Sequence, residues 1–195
     1  MVAEAGGVEA AHKMLCTTAS QQALGLLWSL SATPGTLDHF TAEILLDIVR
    51  IGRTDSSGGG WSQTAALSAL HNMLCYSGYI KVLDAGAVNL AVEVLDGAAL
   101  GAQAAAALFL DQCCFDVRSK LLAVEALRVP VLVDILNRSS AAASSSQPSS
   151  SSSSTAAHAS PSTTKPCDSE DEKLLGHVLS LLWNASGMLT SADVC

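Results

Sequence analysis

His71 and Cys75 stand four residues apart, so on a helix an imidazole and a thiol share one face. Such a pair could contribute two ligands to a soft metal, or let a base activate a sulfur nucleophile. Nothing else in the chain completes either chemistry. The six cysteines, Cys16, Cys75, Cys113, Cys114, Cys167 and Cys195, show no C-x-x-C spacing, and no second pair stands at ligand spacing. They are expected to be reduced thiols of a cytosolic chain, with no metal site and no cofactor. His12, His39, His71, His158 and His177 are scattered, without a nucleophile or acid at fixed spacing. There is no Gly-rich phosphate loop, no H-E-x-x-H and no G-x-S-x-G. The expectation is a protein that is not an enzyme.

Two serines carry a different chemistry. Ser160 precedes Pro161 in the manner of a proline-directed kinase site, and Ser169 lies in the acidic run "DSEDEK" (Asp168–Lys173) that an acidophilic kinase would accept. Ser169 with Glu172 also forms a capping box for the helix that follows. A phosphate there would sit at a helix N-terminus, where its charge is stabilising.

Composition limits what can position these groups. The chain has 195 residues, enough for one domain with a real core. Charged residues are 14% and aromatics 4%, while 49% are hydrophobic, with a large share of alanine. Small and straight-chain apolar residues favour helices that approach closely, and alternating β-branched runs are nearly absent. The net charge of −8 argues against nucleic acid, which needs clustered Lys and Arg, and favours a basic peptide as partner. No run of 18 or more uncharged apolar residues would insert in a membrane. "MVAEAGGVEAAHK" lacks the basic and apolar regions of a signal peptide.

The chain repeats itself. "LLWSLSA" (Leu26–Ala32) returns as "LLWNASG" (Leu181–Gly187). Amphipathic helix starts recur at Glu4–Leu15, Asp38–Val49, Asp84–Leu95 and Glu125–Leu136. Each is followed by a more apolar helix, at Gln21–Ser31, Gln63–Cys75, Gln103–Cys114 and Leu174–Gly187. In these second helices Trp28, His71, Asp111 and Trp183 form one column, and Ser29, Asn72, Gln112 and Asn184 the next. The column spacings are 43, 40 and 72. The long last step contains a Ser/Ala/Pro tract, residues 139–168, which has little to bury and is expected to be disordered. A smaller insertion, residues 52–60, occupies the equivalent connection two repeats earlier. Short third helices are expected within Ser77–Leu83 and Asp116–Val124, and Gly6 and Gly86 read as bend residues.

With the phrases "EAGGVEA", "DAGAVNL" and "LLWNAS", a period of about 40 residues and three helices per unit, the chain resembles the armadillo repeat family. HEAT repeats, with two helices, are the nearest rival. The resemblance implies an all-α, right-handed α-α superhelix of about four repeats, the first and last incomplete, spanning residues 1–195. It further implies that the last helix of each repeat lines a concave groove for an extended peptide, with an amide near its C-terminal half bonding the peptide backbone. Asn72 and Asn184 match that position, Gln112 can substitute, and Ser29 does so poorly. Stepping back along each helix extends the groove face through Trp61 and Ser68, and through His177 and Ser180. The family's basic-peptide binders place a tryptophan one turn before the amide, where this chain has Ser68 and Ser180. Trp28 and Trp183 are instead expected to fill gaps between repeats.

The last helix has apolar positions on two faces, one of them 175, 179 and 183, so it expects a neighbour. The chain is therefore expected to be a piece of a longer solenoid or to self-associate through uncapped ends. The functional expectation is a cytoplasmic or nuclear scaffold that binds a protein or extended peptide, a basic one by charge. The alternatives are a structural fragment of a larger scaffold, or an adaptor regulated by phosphorylation of the serine tract.

Overall fold

In a computed structural model of the chain, the described residues are 6–54, 60–76, 79–97, 99–115, 117–126, 129–145 and 170–191. Every element among them is helical. In chain order they are α1 (Gly7–Leu15), α2 (Ser20–Ser31), a 3-10 turn (Pro34–His39), α3 (Ala42–Thr54), α4 (Trp61–Tyr76), α5 (Tyr79–Asp84), α6 (Ala87–Gly97), α7 (Leu100–Cys113), α8 (Val117–Ala126), α9 (Val129–Ser145) and α10 (Glu170–Ser191). None of the described helices is long and apolar enough to cross a membrane.

Two kinds of helix follow from two apolar patterns. In α3 the buried residues Ile44, Leu45, Ile48, Val49 and Gly52 fall on one stripe, so the helix buries one side. In α4 and α7 burial runs around the circumference: Ala65, Ala66, Leu67, Ala69, Leu70 and Met73 in the first, Ala102, Ala104, Ala106, Ala107, Phe109 and Leu110 in the second. Such helices need neighbours on opposite sides, and they have them. Packing runs α2 on α4, α4 on α7 and α7 on α10, while α1, α3, α6 and α9 pair with α2, α4, α7 and α10 respectively. The alanines let the axes approach closely. A Cβ on Gly52 of α3 would lie 3.0 Å from Leu90 Cδ2 and 3.2 Å from Ala66 Cβ.

Polar groups tie the rows together. The buried Gln103 donates from Nε2 to the Leu95 carbonyl at 3.0 Å, satisfying an acceptor that the last turn of α6 leaves open. Thr36 Oγ1 lies against the carbonyls of Leu30 and Thr33 and closes the end of α2. Among the single-sided helices, Asp47 takes His12 Nε2 and an Arg50 guanidinium nitrogen, both at 2.8 Å, and Arg53 pairs with Glu93 at 3.0 Å.

Gly6 and Gly86 adopt left-handed φ of 79° and 82° just before α1 and α6. Their carbonyls accept from Ala10 and Leu90, opening the two helices alike. The expected start at Asp38 is corrected: Pro34–His39 forms the 3-10 turn, and α3 begins after Thr41, whose Oγ1 accepts from Ile44 N–H at 3.4 Å. The insertion bounds are corrected too. Residues 52–54 complete α3, with Gly52 buried, and residues 139–145 complete α9, because Ala and Ser continue an established helix. Residues 55–59 and 146–169, including Ser160 and Ser169, lie outside the described residues.

Gly60 enters α4 with φ 64°, and a Cβ there would meet Ala99 Cβ at 2.9 Å. Gly86 has open space around the same atom. Gly86→Ala should therefore cost about 1 kcal/mol from its backbone alone. Gly60→Ala adds a clash and should cost about 3 kcal/mol. Urea unfolding of both variants checks the difference.

Candidate functional site

The amide column lies on the row formed by α2, α4, α7 and α10. Asn72 is half-buried and donates from Nδ2 to Ser31 Oγ at 3.1 Å. The fully buried Ser31 donates in turn to the Trp28 carbonyl at 2.6 Å. The amide expected to face a ligand thus joins α4 to α2. Ser29 donates to the Gly25 carbonyl of its own helix at 3.0 Å. Gln112 and Ser68 are half-buried. Asn184 lies on α10, with its side chain outside the described set.

His177 and Ser180 converge on a residue that the sequence placed in a column but gave no role, Asp111 of α7. Ser180 Oγ donates to its Oδ1 at 2.7 Å, and His177 Nδ1 stands 3.7 Å from Oδ2. The signal was present in the sequence: a carboxylate inside the helix "AAAALFLDQCC" needs polar partners from a neighbour.

The imidazole and thiol do approach. Cys75 Sγ stands 3.6 Å from His71 Nε2, while His71 Nδ1 is buried without a hydrogen-bond partner. Burial lowers the His71 pKa, and the nearby His177 lowers it further. Burial raises the Cys75 thiol, and it raises Cys113 to about 12 with help from Cys114. Cys114 is also raised, by burial first and then by Asp111. These thiols are held protonated, the opposite of what a nucleophile requires. Among the described residues no group of three or more His, Cys, Asp or Glu could hold a metal.

The open part of the face lies between the N-terminal halves of α2 and α4. Trp61, 42% exposed, borders a cavity of about 310 Å³ with Gln21, Gln22 and Gly25. Gly25 supplies the space, since a Cβ there would already touch Trp61 Cη2 at 3.5 Å. An indole face beside two carboxamides offers an apolar platform and polar groups for a main chain. Sequence reading placed Trp61 on this face but did not foresee its pairing with Gly25. Of the other two tryptophans, Trp28 is largely covered at 38% exposure, whereas Trp183 at 80% exposure does not fill a gap between repeats.

Asn72→Ala should lower stability by about 1 kcal/mol, the worth of one half-buried hydrogen bond, in urea unfolding. His71 gives a pH signature. Its folded pKa lies below the unfolded value of 6.5, so stability is complete above about 6.5. Stability then declines as pH falls toward the folded pKa, because the unfolded chain takes up the proton first. His71→Gln should show a flatter decline between pH 7.5 and 5.5 than wild type, by thermal melting.

No protein-family model, curated protein or solved structure matches the chain.

Proposed function

We propose that the chain is a non-enzymatic scaffold of the armadillo type, a solenoid of about four repeats that binds an extended segment of another protein along the row α2–α4–α7–α10. The successive packing of the inner helices supports the solenoid reading, as do the left-handed glycines before α1 and α6. The observation that carries the binding reading is the cavity of about 310 Å³ at Trp61, Gln21, Gln22 and Gly25. It is large enough for one side chain, with carboxamides beside it to bond the segment's backbone. The net charge of −8 favours a basic segment. Contact with the ligand then centres on the Trp61 end of the face and extends towards Gln112 and Asn184.

A second reading, a structural segment without a ligand of its own, is favoured by one observation. Asn72 commits one of its two amide hydrogens to Ser31 inside the fold.

Affinity capture from lysate, with mass spectrometry, separates the two. Gly25→Leu should obstruct the cavity beside Trp61, and Trp61→Ala should remove its platform. Both should lose a partner that wild type and Gly25→Ala retain, at unchanged helicity. Gly25→Ala should itself gain about 0.5–1 kcal/mol as a helix-interior glycine replaced without a clash. Identical proteins captured by all four chains would instead support the structural segment.

A further inference from the structure

The four inner helices occupy equivalent places in the row, so burial at matched positions tells which face needs a neighbour. Leu24 in α2, Leu67 in α4 and Ala107 in α7 are each fully buried, whereas their counterpart Leu179 in α10 is 52% exposed. Since α4, α7 and α10 pack on α2, α4 and α7 in turn, a series left open only on α10 is read as the one that the following helix covers. A second series runs the opposite way. Ala69, Phe109 and Leu181 are fully buried, and their counterpart Leu26 in α2 is 50% exposed. Being left open only on α2, that series is read as the one that the preceding helix covers, with α2, α4 and α7 packed on α4, α7 and α10.

The two exposed leucines therefore mark opposite halves of one contact that the molecule already makes three times. The α10 face presents the residue series that elsewhere receives an inner helix on the following side, and the α2 face the series that receives one on the preceding side. We propose that a second copy of this chain is the occupant, stacked head to tail, with Leu179 of one copy against Leu26 of the next. The faces differ, so the contact is heterologous and each dimer retains one open face of each kind. The inference rests on the packing of the row and is independent of the Trp61 cavity.

Sedimentation of the full chain over about 1 to 100 µM tests it, in buffer salted enough to screen the like-signed net charge. Wild type should gain mass progressively with concentration. Leu26→Glu and Leu179→Glu should each remain monomeric, with self-association weakened at least about tenfold. Their equimolar mixture should form a dimer and stop there, because one intact α2 face meets one intact α10 face. Both positions are half-exposed, so the variants should keep wild-type helicity; Leu26→Asn and Leu179→Asn repeat the test if either does not. A monomeric wild type at every concentration overturns the proposal. So does a Leu26 variant that still dimerises alone, which would mean α10 against α10, or a mixture that fails to pair.

Discussion

Burial on two opposite sides of α4 and α7 is the constraint from which the rest of the structure follows. A helix covered on both sides has little room for large or charged side chains, which accounts for the alanine content and for the stripe of small residues where axes come close. It also makes every polar group on those helices costly unless a neighbour answers it. The chain meets that demand by crossing from helix to helix: Asn72 to Ser31, Gln103 to the end of α6, Asp111 to Ser180 and His177. Asn72, Ser180 and His177, expected from the sequence to bind a ligand, are thereby drawn into holding the row in register.

The single-sided helices obey a looser rule. Their outer faces carry the ion pairs Asp47–Arg50 and Arg53–Glu93, partly exposed and each worth about 1 kcal/mol or less, beside the His12–Asp47 hydrogen bond. Packing, rather than charge, carries the stability of that layer. It also leaves the surface charge free to vary without disturbing the core.

Much of the element order was legible because period and punctuation agree locally. The two helices of each unit, the short helices near Tyr79 and Val117, and the glycines at 6 and 86 could all be read from apolar spacing and from residues with special backbone freedom. The 3-10 turn at Pro34–His39 was missed because Asp38 imitates an acidic helix start, while the true cap is Thr41. The insertions were drawn too wide because a composition that buries little can still extend a helix already under way, as in residues 139–145. The site was less legible for a different reason. The partner of Asn72 and the closeness of Trp61 to Gly25 depend on the rotation of one helix against the next, which no single-helix pattern encodes. Asp111 was visible as an anomaly, but its partners lie 66 and 69 residues away in sequence.

Each inner helix packs chiefly on the inner helices at its sides in the row, so coupling through the shared core passes from one to the next. Coupling of that kind grades protection along the row: backbone amides in α4 and α7, braced from both sides, exchange most slowly with solvent, while α1 and α10 open first. Opening can then travel inward one helix at a time. The outermost helices act as a reservoir of local unfolding that leaves the centre intact.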